Sequence, residues 1–212
     1  MARKTLLACG IASSLLYVAM TVLLARRWPE YDSWSQTISE LSAVDAPTRP
    51  MWVLPGALYT VLIGLFGWGV VWSAGPNRRL GTVGWLIVAY GSLGLVWPFA
   101  PMHLREVLAA GGGTVSDTTH LVLAAVTVVL MLVALGVGAT AFGRGFRAYS
   151  LVSLLVLGIC GALTFGEAPQ VAVNGPTPWI GLWERINLLV FLVWVIALAV
   201  AVWPAAPRST DR

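Results

Sequence analysis

The stretch THLVLAAVTVVLMLVALGVGATAF, residues 119–142, contains no Asp, Glu, Lys or Arg, and GRGFR, residues 143–147, closes it with two arginines. A run of roughly 20 apolar residues is long enough to cross a hydrocarbon core about 30 Å thick, and there only a helix satisfies its own backbone. Residues 119–142 therefore read as a membrane span and 143–147 as the turn after it. The pattern recurs on both sides, at about 5–25, 51–73, 80–99, 148–166 and 180–203. The expected fold is all-α: a polytopic bundle of six transmembrane helices, one integral membrane domain over residues 1–212.

Numbering the connections alternately separates the charges. One side holds Arg3, Lys4, Arg78, Arg79, Arg144, Arg147, Arg208 and Arg212, with Asp211 its only acid. The other holds Glu30, Asp32, Glu40, Asp45, Glu106, Asp117, Glu167 and Glu184, both histidines, and Arg26, Arg27, Arg49, Arg105 and Arg185. The positive-inside bias puts the first side, with both termini, in the cytoplasm. The expectation is a multi-pass protein of the cell inner (plasma) membrane whose polar chemistry lies at the outer face. Tryptophans support the boundaries. Trp28, Trp34, Trp52, Trp97, Trp179 and Trp183 fall at the outer limit, and Trp68, Trp72, Trp85 and Trp203 at the inner one. Only Trp194 falls mid-span, as aromatic interface belts predict for the rest.

Composition agrees. The chain is 58% hydrophobic and only 10% charged, against about 25% charged for a soluble domain. The net charge of +4 does not indicate nucleic acid, because the basic residues sit in pairs at span ends and form no stripe. Cys9 and Cys160 lie at different depths and read as thiols, not a disulfide. Leu6-Leu7-Ala8-Cys9 resembles a lipoprotein cleavage box but follows Lys4 too closely to leave an apolar segment, and the run to Ala25 is too long for a cleaved signal.

The inner connections 75–79 and 143–147 are short turns. The outer ones are longer, and the longest, about 26–50, carries enough aromatic and aliphatic residues to pack. Within it Ser35 to Leu41 reads as a short surface helix with Ser35 as N-cap. The segment from Glu167 to Trp179, rich in Pro and Gly, reads as an irregular cover. Small residues such as Gly64, Gly67, Gly84 and Gly91 are spaced for close helix approach. No repeat relates the two halves, so a transporter of the inverted-repeat kind has no support and stands third among the readings.

Four constellations carry candidate chemistry. Asp117 and His120 share a helical face, so the carboxylate is placed to orient the imidazole or join it on a metal; the plainer reading makes Asp117 a helix cap. His103 lies at similar depth, and with His120 and nearby carboxylates it would suit zinc, although the spacing matches no metal motif. Glu184 and Asn187 share a face at the outer end of the last span, with Arg185 pointing elsewhere, as a lipid-phosphate anchor in the bland reading. Ser39, Glu40 and Asp45 occupy the first outer loop, without a nucleophile elbow. With Lys4 the only lysine, a retinal Schiff base has no partner, and no span carries the mid-membrane acids of a proton or ion pump.

The segments Ile38-Ser39-Glu40-Leu41-Ser42-Ala43 and Asp45-Ala46-Pro47-Thr48-Arg49-Pro50, the histidine opening the fourth span and Gly181-Leu182-Trp183-Glu184-Arg185-Ile186 together resemble the bacterial six-helix family known as domain of unknown function 998. More distantly, Ile38-Ser39-Glu40 is similar to the Ser-Ile-Ser-Asp loop of the eukaryotic Frag/DRAM/Sfk membrane proteins, with Glu40 where that pattern has Asp. The first resemblance implies the topology and points to Ser39, Glu40, His120 and Glu184. The second implies work around lipids. The leading expectation is an outward-facing pocket lined by Ser39, Glu40, His103, Asp117, His120 and Glu184, which binds or processes membrane lipid, with zinc as the candidate metal. The alternative is a non-enzymatic sensor, chaperone or envelope-complex subunit using the outer loops as a partner surface.

Overall fold

A computed structural model describes residues 2–204. Arg208, Asp211 and Arg212, assigned above to the basic side, lie outside the described residues. Seven α-helices and two 3-10 turns make up the regular structure, and no strand occurs among the described residues. Six helices are long and apolar enough to cross a membrane: α1 (Ala2–Ala25), α2 (Arg49–Ser73), α3 (Arg78–Gly94), α5 (Val115–Gly138), α6 (Arg144–Ala172) and α7 (Ile180–Val202). The remaining helix, α4 (Arg105–Ala109), is a short element in the connection between α3 and α5.

Consecutive long helices pack side by side and α1 closes on α7, so the six form a ring. Its centre is filled by Leu7, Ile63, Phe66, Ile87, Met131, Leu135, Leu157, Phe191 and Trp194, all essentially without solvent contact. Trp194, the mid-span tryptophan, is fully buried, and its indole N–H donates to Ser150 Oγ at 2.9 Å, so its one polar atom is satisfied. Ser14 Oγ lies 3.1 Å from the Leu192 carbonyl, a polar tie across the α1–α7 closure. Helices α2 and α3 approach through glycine: a Cβ at Gly84 would stand 2.7 Å from Val71 N, and one at Gly91 2.8 Å from Gly64 N. Here the small-residue spacing is what admits backbone-to-backbone contact.

At one end of the ring the connections are the short basic turns, and the arginines have a local task. Arg3 donates to the Val202 and Trp203 carbonyls, Arg79 to the Thr140 carbonyl and Arg147 to the Ala139 carbonyl. These are carbonyls at the C-terminal ends of neighbouring helices, where the intrahelical partners run out and cations are favoured. The other end carries the long connections and all the candidate site residues.

Several boundaries differ from the sequence reading. The expected helix from Ser35 is instead a 3-10 turn, Ile38–Ser42, with Thr37 as N-cap and Glu40 completing a capping box. Thr37 with Glu40 has the spacing of that box, which outcompetes Ser35. The third span runs over Arg78–Phe99, close to the expected 80–99, but its α-helix stops at Gly94 and Trp97–Phe99 turns in a 3-10 helix around Pro98. The span expected from 119 begins at Val115, capped by Thr114 and Asp117. The expected irregular cover after Glu167 is helical to Ala172, with Pro169 inside α6.

Candidate functional site

The first outer connection, residues 26–48, folds back over the bundle. Leu41 packs with Leu24 and Tyr31, while Ala43 and Ala46 pack with Met102, Val171 and Ile180, so the loop brings its own small cores. Two arginines from other elements fasten it. Arg105 of α4 makes a two-point contact with Glu40, Nε to Oε1 at 2.8 Å and Nη2 to Oε2 at 2.9 Å. Its Nη1 reaches Thr177 Oγ1 at 3.1 Å, and Thr177 Oγ1 in turn donates to the Ser35 carbonyl at 2.8 Å. Glu40 is fully buried, and its carboxylate also accepts from Thr37 N at 2.7 Å. Burial works against the charge on Arg105, but the hydrogen bonds and charge of Glu40 outweigh it and hold the guanidinium above its ordinary range. Glu40 is thereby committed to holding the loop.

Arg185, a lipid-phosphate anchor in the bland reading, turns under the loop. Its Nη1 donates to the Ser33 carbonyl at 2.8 Å, the Gln36 carbonyl at 3.1 Å and the Gly181 carbonyl at 2.9 Å, and its Nη2 to Tyr31 Oη at 2.6 Å. Burial raises the Tyr31 phenol well above its usual range, and Arg185 works against that rise. Tyr31 stays protonated, and Oη lies 2.6 Å from the Thr37 carbonyl as its donor. Gly181 is required here, because a Cβ on it would collide with the Gln36 carbonyl and reach 2.5 Å from that of Ser33.

Asp117 pairs with His103 and not with His120, which corrects the expectation of an oriented His120. Its carboxylate accepts from His103 N at 2.7 Å, meets His103 Nδ1 at 2.9 Å and accepts from Thr114 N at 2.8 Å. It caps α5 and pins the connection from α3, so a neighbour distant in sequence wins over the one three residues along the helix. His120 is buried, edge-on to Trp97, and its Nδ1 lies 2.9 Å from the Ala100 carbonyl. A carbonyl only accepts, so Nδ1 carries the proton and Nε2 of the neutral ring is left as an acceptor. The two histidines thus spend Nδ1 on different partners. Among the described residues no three His, Cys, Asp or Glu side chains stand together as a metal set. The donor set does not fit the zinc expected from His103 and His120.

Below the loop lies a cavity of about 190 Å³. Ser39, Arg49, His120 and Glu184 line it, over a wall that includes Tyr59 and Tyr90. Glu184 Oε2 accepts from Ile38 N at 2.5 Å, so the last helix also holds the first turn of the loop. Tyr59 Oη and Tyr90 Oη share a hydrogen bond of 2.7 Å deep in the bundle. Of the sequence candidates, Ser39, His120 and Glu184 come together on this cavity. Glu40, His103 and Asp117 do not line it, and Asp45 and the acids Glu30 and Glu106 are exposed. The sequence reading missed Arg49, which it counted as a loop charge, and the tyrosines, which it counted as span. A signal was available for the tyrosines: Tyr17, Tyr59 and Tyr90 each place a hydroxyl inside an apolar run, where a polar atom needs a partner.

A family model described as "Protein of unknown function (DUF998)" matches residues 11–201. No curated protein and no solved structure matches the chain.

Proposed function

This chain belongs to the DUF998 family, a multi-pass membrane protein by its six apolar helices, and from that premise we propose that it binds, and through His120 acts on, a membrane lipid at its loop-end cavity. The observation that carries the reading is that Ser39, His120 and Glu184 line one cavity together with Arg49, over aromatic and aliphatic walls. Such a space offers polar groups to a headgroup and apolar walls to the chains attached to it, and sits at the end of a bundle that lipid surrounds. His120 would serve as the base through Nε2, since Nδ1–H is held by Ala100. Ser39 would supply a hydroxyl, and Glu184, anchored on Ile38 N, a fixed carboxylate.

Lipid co-purifying with the protein, counted by mass spectrometry after gentle detergent extraction, tests this. Ala124 also lines the cavity, so Ala124→Phe should fill it and lower bound lipid about tenfold or more. His120→Ala should abolish turnover of whatever lipid is processed, while Glu30→Gln and Glu106→Gln, both exposed, should change nothing. Unchanged lipid content in Ala124→Phe would sink the reading.

The same proposal places the cavity outside the cell and both chain ends in the cytoplasm, from the arginine-rich turns. A reporter fused after the last residue should read cytoplasmic, and one inserted at Gly112 extracytoplasmic. Reversed signals overturn that orientation.

A further inference from the structure

We infer that the cavity is matched to a zwitterion that joins a phosphate diester to an amine, the chemistry of ethanolamine and choline phospholipid headgroups; this rests on the lipid-binding reading of the same cavity. Two side chains of opposite charge type line the cavity, and neither makes an ion pair with a neighbour. Arg49 spends its guanidinium on neutral carbonyls, Nη1 on Ser42 at 2.5 Å and Nη2 on Pro98 at 3.3 Å. Glu184 accepts from the backbone N–H of Ile38. Its sequence neighbour Arg185 gives its hydrogen bonds to the Ser33, Gln36 and Gly181 carbonyls and to Tyr31, and makes none to Glu184. Ion pairs among the described residues are confined to His103–Asp117 and Arg105–Glu40, so Arg49 and Glu184 pair neither with each other nor elsewhere.

Charges drawn into a bundle are normally paired, because desolvation leaves a lone ion costly. A ligand with one negative and one positive group completes both at once. Purely anionic lipid would satisfy Arg49 and set its acid against Glu184. A simple amine would do the reverse. The walls favour the amine end further: Tyr17, Trp52, Tyr59, Tyr90 and Trp97 line the same space, and aromatic rings around an alkylammonium attract it through their faces. Thr127 adds a buried hydroxyl with no hydrogen-bond partner on this lining, an unfilled polar contact beside the rings.

The test uses the full-length chain, stripped of lipid and equilibrated in micelles with equal amounts of dioleoyl phosphatidylethanolamine, phosphatidylcholine and phosphatidylglycerol. Native mass spectrometry counts each lipid retained. One or both zwitterionic lipids should be held at least about tenfold over phosphatidylglycerol, and Glu184→Gln should erase that preference. Equal or stronger retention of phosphatidylglycerol by the wild-type chain overturns the inference without needing any variant to fold. Glycerophosphoethanolamine and glycerophosphocholine, titrated against the tryptophan fluorescence of the chain, to which Trp52 and Trp97 contribute from the lining, identify the source. Saturation by either places recognition in the headgroup alone, and retention of whole lipid only places it in the bilayer; both uphold the chemistry. Ala124→Phe separates the two levels. If it removes phosphatidylglycerol that the wild type prefers, the lipid site stands and its charge preference falls; if it removes nothing, the lipid site falls as well.

Discussion

Arg105→Ala lowers the stability of the folded chain by about 3–5 kcal/mol, measured by unfolding in detergent, because it strands a buried carboxylate. Glu40 has no solvent contact, and Arg105 meets both its oxygens. The same guanidinium reaches Thr177 Oγ1 and the Ser35 carbonyl, so its removal frees two connections at once. Glu40→Ala should cost a similar amount, since it strands the cation. Glu40→Leu combined with Arg105→Leu should cost clearly less than the two single changes added, because no lone charge remains. Single losses of no more than about 1 kcal/mol, the value of an exposed pair, would show that the contact is open to water.

The second large effect is expected at the α2–α3 contact. Gly84→Val and Gly91→Val should leave little folded monomer on size-exclusion chromatography. A Cβ at Gly84 would lie 2.7 Å from Val71 N and 2.9 Å from Gly67 O, and one at Gly91 2.8 Å from Gly64 N and 3.0 Å from Thr60 O. These are main-chain atoms of the facing helix, which cannot swing aside as a side chain would. Overpacking of this kind typically costs about 1–3 kcal/mol, and more when backbones must separate. Gly136→Ala is the control, because nothing stands within 4 Å of its Cβ position. There the change should be neutral or stabilising by up to about 1 kcal/mol through helix propensity. Normal monomer recovery for Gly84→Val would mean that the two helices do not meet as described.

The number of spans and their partition were legible because a bilayer imposes its thickness on apolar runs and its charge bias on the turns. Residues 119–142 needed no partner to be recognised. The site was legible only in part. Glu184 and His120 stood out as ionisable groups at span ends, and both line the cavity. Glu40 stood out through the first outer loop and its family resemblance, yet it is a strut, because its partner Arg105 lies 65 positions away in another connection. Helical spacing assigns Asp117 to His120, whereas the turn through Trp97–Phe99 delivers His103 to it. Arg49 was hidden by its type: an arginine at a span end reads as a topology signal whether or not a cavity lies beneath it. The Glu40–Arg105 and Asp117–His103 contacts join separate segments, on which local spacing is silent.

Arg185 grips the first loop through the carbonyl oxygens of Ser33 and Gln36, and a carbonyl is the one group that every residue type supplies. For this contact the instruction is therefore written on α7, in Arg185 and in the bare backbone of Gly181, and not in the side chain at 33. Position 33 is spelling without meaning for that grip and can be rewritten while the seat stays in place, whereas Gln36 also spends its side chain on Glu40 and on the Asp32 N–H.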